Sequence, residues 1–494
     1  MIETQDLLLE NQLLKNELQQ SQSKISHLQF QLDELKRLIF GAKSERYISN
    51  IHPSQLSLLD VATEESEMDA STITIQKHER KQSDKIENRP VRSPFPDTLT
   101  REEIIIYPDG YDASTTEKPI GEEVTEVLEE IPGKFFVKRY VRLKFAVKKG
   151  GVVIGNLPSR PIEKGLLGEL LLTRILVDKY VDHLPLYRQQ QRFTRAGITL
   201  ASSTLGDVPR QCCELLDPLY NELIKQTLQS NYLQADETPH PVQDSKVKGK
   251  THRGYLWVYR SVEKRLVLFD YQKGRGREGP QELLKNYTGF LQTDGYEVYD
   301  DFRNRNGITL LGCMAHARRY FEKALSNDKV RAEYFIAKVQ VLCAVERNIR
   351  DEKLTDEQIT ALRLKESLPV LNELEVWLKE NVIQVTPTAP IGKAIAYTLS
   401  RWTKLTDYVK HPFLEIDNNL VENAIRPTVI GRKNYMFAGS HEGAIRSAMI
   451  YSFFGSCKMN NINPNEWLAD VLLKISDTKQ SQLYTLLPNY WEKS

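Results

Sequence analysis

The sequence has few of the features that mark secreted, disulfide-bonded or membrane proteins. It contains five cysteines among 494 residues, none in a Cys-x-x-Cys pair, which argues against a disulfide framework and favours reduced thiols in a cytosol. No apolar run approaches the length of a membrane span, and the N-terminus carries mixed charge in place of a signal peptide. We therefore expect a cytoplasmic protein without a membrane partner.

The chain also lacks a charge bias and a nucleotide-binding motif. Lys and Arg number 67 against 66 Asp and Glu, a net charge of +1, so any surface that binds nucleic acid must arise from local segregation of charge. No glycine-rich phosphate-binding motif with Lys-Ser or Lys-Thr is present, so no nucleotide fuel is expected. Hydrophobic content of 40% and charged content of 27% are ordinary for a globular protein, and the length predicts several domains.

Heptad spacing marks the N-terminal end of the chain. Between Leu7 and Ile39, Leu and Ile recur at the two seam positions of a heptad, which predicts a coiled coil over residues 1–47 and a homo-oligomer formed through it. A single amphipathic helix packed on its own body is the alternative interpretation. Residues 48–97 are polar and lack sustained periodicity, so they are predicted to form a flexible linker.

Residues 98–160 and 161–228 predict a small β segment and a helical region. The last β-type run, from Phe135 to Val147, alternates basic with apolar side chains, which suits a core on one face and either a DNA backbone or solvent on the other. In the helical region, Ser202 is the expected cap of the third helix, and Pro209 is expected to shorten that helix. This is helix-turn-helix spacing, which many helical hairpins share without binding DNA.

Residues 229–326 mix strand and helix patterns, with an acid after two of the strands. Three strands come first, and helices and two further strands follow, which is typical of the ribonuclease H-like fold. Asp236 ends the first strand and Asp294 the fourth, and these strands are neighbours in that fold. Residues 327–412 predict a helical insertion, and residues 441–494 predict C-terminal helices. The predicted fold class is multidomain α+β with a ribonuclease H-like α/β catalytic core.

Residues 413–440 predict the second part of that core and a short helix with a third acid, Glu422. Asp417 is the expected N-cap, and Pro427 is expected to end the helix because the residue before a proline avoids the helical region. An exposed helix with an ordinary Glu/Arg pair is the alternative. Three polar side chains fall one turn before or after Glu422 on the same face: Asn418, Asn419 and Arg426.

The three acids are predicted to meet in the folded chain. Converging carboxylates cannot all stay ionised at neutral pH without a counter-charge, which divalent cations with oxygen ligands supply. Two Mg²⁺ ions suit phosphodiester chemistry, since one activates the attacking oxygen and the other stabilises the leaving oxygen. We predict that Asp236 bridges two Mg²⁺ ions, that Asp294 and Glu422 each hold one, and that Mn²⁺ can replace Mg²⁺. Each acid taken alone also has a structural explanation.

Six phrases carry a wider pattern: Phe40–Glu45, Tyr180–Gln189, Ala235–Pro239, Leu291–Tyr296, Ala315–Arg319 and Ile416–Ser440. They resemble the IS66 family of transposases, of the DDE class, and the likeness covers nearly the whole chain. The resemblance implies that Asp236, Asp294 and Glu422 are the catalytic triad and that the substrate is the terminal inverted repeats of a mobile element. Accessory proteins of the same element are further candidate partners.

One departure from that family concerns zinc. The resemblance leads us to expect a cysteine-rich, zinc-finger-like segment, but residues 108–151 contain no cysteine. A structural zinc needs about four nitrogen or sulfur ligands, so no structural zinc is expected in this chain.

Several side chains near the acids in sequence are candidates to support a metal ligand or to contact DNA. His316 follows the second acid, and a packed histidine is an equal alternative for it. Basic residues nearby can clamp phosphates. These candidates are Arg318, Arg319, Arg426, Arg432 and Lys433, with Asn418 and Asn419 beside Glu422.

Together these features predict a DNA transposase that is associated with the nucleoid when bound. Water attacks the phosphodiester at the end of the element, and the freed 3′-hydroxyl then attacks target DNA. A ribonuclease H-like nuclease that cuts without joining is the first alternative, and strand transfer of a pre-cut end separates the two. A non-catalytic DNA-binding scaffold is the second, and replacement of the acids tests it.

Overall fold

The computed structural model describes residues 95, 97, 99–107, 121–131, 133–146, 152–163, 165–243, 249–305 and 307–493. The predicted coiled coil of residues 1–47 lies outside these residues, as does nearly all of the predicted linker of residues 48–97. The described residues form a mixed α+β structure with two β-sheets. None of their helices combines the length and the apolar character that crossing a membrane requires.

The first sheet contains the β-type runs predicted from the sequence. Its strands are β1 (Thr100–Ile106), β2 (Gly121–Ile131), β3 (Lys134–Ala146) and β4 (Val152–Ile154). β3 is central, since it pairs in parallel with β1 and antiparallel with β2 and β4. Val137 and Val141 of β3 are buried and contribute apolar packing to this sheet.

Basic side chains in the middle of β3 form ion pairs with glutamates. Lys138 Nζ lies 2.8 Å from a carboxylate oxygen of Glu169, and Arg142 Nη2 lies 2.6 Å from one of Glu123. These pairs offset the charges of Lys138 and Arg142 within the folded chain. They favour the interpretation of an ordinary strand face over that of a strand laid on a DNA backbone.

Three helices follow the first sheet: α1 (Glu169–Tyr180), α2 (Leu186–Arg195) and α3 (Ser202–Leu228). Two predictions about α3 were wrong. Ser202 is its first residue rather than its cap, and the N-cap is Ala201. Pro209 does not shorten the helix, which continues to Leu228. The leucine-rich face of α3 is buried in the main core, and this burial outweighs the backbone hydrogen bond that a proline removes from a helix interior.

The second sheet has five strands: β5 (Tyr232–Gln243), β6 (Thr251–Ser261), β7 (Leu266–Gln272), β8 (Gly289–Gln292) and β9 (Ile308–Leu311). Their order is β7-β6-β5-β8-β9. The pairs among β5, β6 and β7 are antiparallel, and those among β5, β8 and β9 are parallel. The first and fourth strands are therefore neighbours, as predicted. Two helices belong to this region, α4 (Glu278–Leu283) before β8 and α5 (Met314–Ala324) after β9.

β5 does not end at Asp236, as the sequence pattern predicted. Its pairing with β8 stops at Gln234, whereas its pairing with β6 continues to Gln243. A strand with one unpaired edge tolerates proline, which cannot donate to a ladder, and Pro239 and Pro241 lie in this half of β5. Asp236 therefore lies inside a strand, at the point where the sheet loses one neighbour.

Residues 327–412 are mostly helical and contain α6 (Lys329–Asp351), α7 (Asp356–Leu362), α8 (Leu368–Val382), α9 (Pro390–Ser400) and α10 (Trp402–Thr406). They pack with α5 in a second core, where Phe321 stacks on Phe335 with ring centroids 3.8 Å apart. The buried Arg363 donates to Glu346 over 2.6 Å and to the backbone carbonyl of Leu414 over 2.9 Å. These bonds hold the segment that leads into the next helix.

The helix that carries Glu422, α11 (Asn419–Tyr435), is longer than predicted. It does not end at Pro427 but continues for two further turns. Val421 and Ile425 bury one side of the helix in the main core. As in α3, this packing outweighs the local effect of the proline.

Two helices follow α11: α12 (His441–Met459) and α13 (Pro464–Lys474). α12 covers β7, an edge strand, and the hydroxyls of Ser452 and Ser456 accept the N–H groups of Phe269 and Val267 over 2.8 and 2.9 Å. Such bonds protect an edge from pairing with another chain. α13 begins after Asn463, whose side chain caps the helix by accepting the backbone N–H of Asn465 over 3.0 Å.

Candidate functional site

Asp236 and Asp294 occupy equivalent positions relative to two neighbouring parallel strands, β5 and β8. Gln234 of β5 and Gln292 of β8 stand opposite each other in the pairing, and each aspartate lies two residues beyond its glutamine. Parallel strands in register deliver equivalent residues to the same edge of a sheet. The two aspartates predicted from the sequence are therefore close together in the fold.

Glu237 joins this cluster, although the sequence did not single it out. One carboxylate oxygen from each of Asp236, Glu237 and Asp294 lies within 4.8 Å of the other two. In the described part of the chain, no other group of three or more His, Cys, Asp or Glu side chains is placed to share an ion. Successive strand residues point to opposite faces, so the alternation rule gives no reason to expect Asp236 and Glu237 to act together.

Glu422 lines the same pocket but lies outside this tight cluster. The pocket is open, with a volume of about 370 Å³, and is lined by Glu422 and by the three clustered acids. Glu422 Oε1 lies 3.4 Å from Arg319 Nη2 and 3.7 Å from His316 Nε2. Arg319 of α5 therefore supplies the positive charge that compensates this carboxylate.

His316 is an uncharged part of this pocket. Arg319 Nη1 is 3.1 Å from His316 Nε2, and since a guanidinium only donates, that ring nitrogen must act as the acceptor. Burial lowers the pKa of His316, and the charge of Arg319 lowers it further. His316 is therefore neutral at pH 7, and it holds the Arg319 side chain at the pocket by accepting this hydrogen bond.

The clustered acids carry negative charge that the described residues compensate only in part. Burial raises the pKa of Asp236 well above 3.8, and Glu237 and Asp294 raise it further. The backbone N–H of Glu237 donates to Asp236 Oδ1 over 2.8 Å and offsets some of this effect. Oxygen ligands with excess negative charge suit hard cations such as Mg²⁺ and Mn²⁺. The residues present therefore fit a cation of this kind.

A buried pair of glutamines ties α11 to the strands that carry the aspartates. Gln292 Nε2 donates to the carbonyl of Glu415 over 2.8 Å, and Gln234 Nε2 donates to the carbonyl of Asp417 over 3.0 Å. Glu415 and Asp417 lie just before the helix of the third acid. These glutamines were not predicted, although the sequence contains a signal for them. The motif Leu-Gln-x-Asp occurs twice, at residues 233–236 and 291–294.

Asn418 and Asn419 belong to the start of α11 and do not line the acidic pocket. Asn418, rather than the predicted Asp417, is the N-cap. It is buried, its backbone N–H donates to Cys313 Sγ over 3.4 Å, and its side chain donates to the carbonyl of Ala235 over 3.5 Å. The backbone N–H and the side chain of Asn419 donate to Asp417 over 3.0 and 2.9 Å. Both asparagines therefore position the helix that presents Glu422.

The basic residues predicted near the acids divide into two groups. Arg319 and Arg426 line the pocket. Arg318 instead pairs with an acid of its own helix at 2.8 Å. Arg432 is partly buried, which lowers its pKa, and Lys433 is exposed. Neither Arg432 nor Lys433 lines the pocket.

Three family models match the chain. The model described as "Transposase IS66 family" matches residues 164–446, which include every residue of the pocket. The model described as "Transposase C of IS166 homeodomain" matches residues 27–104, and the model described as "IS66 C-terminal element" matches residues 452–489. The first match alone covers more than half of the chain.

Similar proteins are found in Sinorhizobium fredii (strain NBRC 101917 / NGR234). "Uncharacterized protein y4hP" is 31% identical over 503 residues, which cover 94% of this chain and 89% of the relative. "Uncharacterized protein y4jD" is 31% identical over 513 residues, which cover 98% of each. "Uncharacterized protein y4qI" is 32% identical over 486 residues, with coverage of 94% and 89%. Because the IS66 family model matches more than half of its residues, the chain belongs to the IS66 family of transposases.

Proposed function

We propose that this chain is a DNA transposase that binds the terminal inverted repeats of an insertion sequence, cuts the phosphodiester at the end of the element and joins the freed 3′-hydroxyl to target DNA. The observation that carries the proposal is that Asp236 and Asp294 meet at one edge of a sheet, with Glu422 in the same pocket. The order β7-β6-β5-β8-β9 supports a ribonuclease H-like core. Family membership favours a transposase over an unrelated nuclease.

The three predicted acids are proposed to hold two divalent cations. Asp236, Asp294 and Glu422 would hold these ions. When bound, Mg²⁺ would activate the attacking oxygen and stabilise the leaving oxygen, and Mn²⁺ would fit the same ligands. To hold a cation, Glu422 would have to give up its contacts with Arg319 and His316.

Arg319 and Arg426 are proposed to hold the DNA strand at the pocket. Both line it, and a guanidinium forms strong charge-assisted bonds with phosphate oxygens. Without its contact with Glu422, Arg319 would be free to bind a phosphate. A coiled coil, if residues 1–47 form the one that their heptads predict, would join copies of the chain. The helices of residues 161–228 would extend the DNA contacts beyond the pocket.

Strand transfer with a pre-cut element end tests this proposal. The full chain, a duplex of the repeat that flanks its own gene, a target plasmid and Mg²⁺ should yield a joined product, and EDTA should abolish it. Asp236→Asn, Asp294→Asn and Glu422→Gln should each lower the yield by about 100-fold or more, while DNA binding in a gel-shift assay persists. Asp351→Asn is the matched control, because Asp351 is exposed at the end of α6 and lies outside the pocket, and it should be as active as the wild type.

The same experiment separates the proposal from its rivals. Cleavage of an intact end without joining of the pre-cut end would identify a nuclease. A wild-type chain that binds DNA without Mg²⁺-dependent cleavage, and whose acid variants retain its effect on excision in cells, would identify a scaffold.

A further inference from the structure

Among the acids of the pocket that form an ion pair, Glu237 is the most buried. Only one of its two carboxylate oxygens contacts a positively charged group. Its side chain is 3% exposed. Oε1 accepts two hydrogen bonds from Arg275, one from Nε over 2.9 Å and one from Nη2. Oε2 is buried and has no hydrogen-bond partner among the described residues. Leaving a charged oxygen buried and unpaired is costly, so this atom calls for a further cation.

Arg275 is held at the rim of the pocket by an aromatic platform. Its guanidinium lies 4.0 Å from the centre of the Tyr296 ring, and the hydroxyl of Tyr296 donates to the backbone carbonyl of Arg275 over 3.1 Å. Tyr296 in turn stacks on the buried Trp257. The Arg275 side chain remains 45% exposed, so it can leave Glu237 without unpacking the core.

We propose that Glu237 is a fourth acidic ligand for the divalent cations of this pocket and that Arg275 is the internal counter-ion that a cation displaces from it. This inference rests on the proposed function, since it assigns a further residue to the same site. Glu237 already lies with Asp236 and Asp294 in the group of oxygens within 4.8 Å of one another. A cation bound between the two aspartates is therefore within reach of Glu237 as well. A guanidinium and a divalent cation compete for the same carboxylate, so the loss of Arg275 should favour cation binding.

Binding of Mn²⁺ to the full chain without DNA tests this inference, with isothermal titration calorimetry and the Mn²⁺ paramagnetic resonance signal as readouts. Glu237→Gln should weaken Mn²⁺ binding by about 10-fold or more, and Glu237→Asp should restore part of it. Arg275→Gln should strengthen Mn²⁺ binding roughly two- to five-fold, the effect of removing a partly exposed ion pair. Arg277→Gln is the matched control, because Arg277 lies on the same loop but pairs with Asp301, and it should bind Mn²⁺ like the wild type.

Two further variants separate direct competition from a general change of charge. Arg275→Lys keeps the charge but loses the two-pronged contact, so under direct competition it should bind Mn²⁺ more tightly than the wild type. In a Glu237→Gln background, Arg275→Gln should have no further effect. Unchanged Mn²⁺ affinity in Glu237→Gln, with wild-type circular dichroism, would overturn the inference. So would an effect of Arg275→Gln that persists in the double variant.

The outcome also separates this inference from the proposed function. If Glu237→Gln binds Mn²⁺ like the wild type while Asp236→Asn loses both Mn²⁺ and strand transfer, the role of Glu237 is wrong and the transposase proposal stands. If the wild-type chain binds no Mn²⁺ and cuts no DNA, both fail.

Discussion

The side-chain amide of Gln234 donates a hydrogen bond of 3.0 Å to the side-chain carbonyl of Gln292, opposite it on the neighbouring strand. The same carbonyl oxygen accepts the hydroxyl of Tyr232 over 2.5 Å. Gln292 also donates to the backbone carbonyls of Gly312 and Glu415 over 3.0 and 2.8 Å. It therefore joins β8 to β5, to the end of β9 and to the segment before α11. Every part of the chain that supplies an acid to the pocket is connected through this side chain.

Replacing Gln292 with leucine is expected to destabilise the chain and to loosen the pocket. Leucine fills a similar volume but leaves buried donors and acceptors without partners, at about 1–3 kcal/mol for each such group. Because contributions within one network are not additive, we expect the free energy of unfolding to fall by about 3 kcal/mol in total. Urea unfolding followed by tryptophan fluorescence measures this change.

The control for this variant is Gln482→Leu, at an exposed glutamine. A surface substitution of this kind changes the free energy of unfolding by about 0.5 kcal/mol or less. Equal losses for the two variants would mean that the glutamine network does not stabilise the strand pair.

Local sequence patterns predicted three of the four strands of the first sheet, the five strands of the second and the meeting of the two aspartates, because alternation, turns and strand pairing are encoded in short stretches. They did not predict β4, which has only three residues. They failed where tertiary packing opposes a local rule. Pro209 and Pro427 lie inside helices, although the local rule for proline predicts that these helices end or are cut short there. In each case an apolar face buried in the main core outweighs one missing hydrogen bond.

The composition of the acidic pocket was predictable only in part. Asp236 and Asp294 were predicted from the order of the strands, and Glu422 was predicted from the sequence motif that surrounds it. Glu237 was missed because alternation assigns it to the opposite face of the strand from Asp236. Its partner Arg275 is distant in sequence and reaches it through a loop between other elements, a contact that no short pattern encodes.

Arg319→Gln is expected to weaken binding of DNA, because Arg319 is the positively charged residue beside Glu422 in the pocket. Loss of one phosphate contact should lower the slope of log affinity against log salt by about 1. Fluorescence anisotropy with a labelled end duplex at several salt concentrations measures this slope. Arg318→Gln is the adjacent control, because Arg318 pairs with its own helix, and its slope should match the wild type. A slope that falls equally in both variants would argue against a specific contact by Arg319.

Stability should fall as the pH rises from about 5 to 9, in part because of Glu129. This side chain is buried at the junction of β2 and α1, where its Oε2 accepts the N–H of Leu170 over 3.2 Å. Burial, followed by the neighbouring Glu169, raises the pKa of Glu129 from 4.5 to about 8. The folded chain therefore keeps a proton that the unfolded chain releases above pH 4.5. The stabilisation is complete below that pH and is lost as the pH rises through 8.

The variant Glu129→Gln isolates this contribution, because an amide does not titrate. Urea midpoints measured at pH 6 and pH 9 should differ less for Glu129→Gln than for the wild type, whereas titrating groups that do not contact Glu129 affect both chains alike. A wild-type midpoint that rises towards pH 9 relative to the variant would contradict the assignment.

Gly289 at the start of β8 is expected to tolerate no side chain. Its φ is +134°, and a Cβ there would lie 2.4 Å from the backbone carbonyl oxygen of Asn231, the same oxygen that accepts the N–H of Phe290. Gly289→Ala should therefore lower the free energy of unfolding by about 2 kcal/mol or more and displace the strand that leads to Asp294. Gly206→Ala has the opposite expectation, because Gly206 is exposed inside α3 with open space around it, and alanine is favoured in a helix by about 1 kcal/mol. Urea unfolding of both variants gives a sign test, and stabilisation by Gly289→Ala would show that β8 begins with a different backbone path.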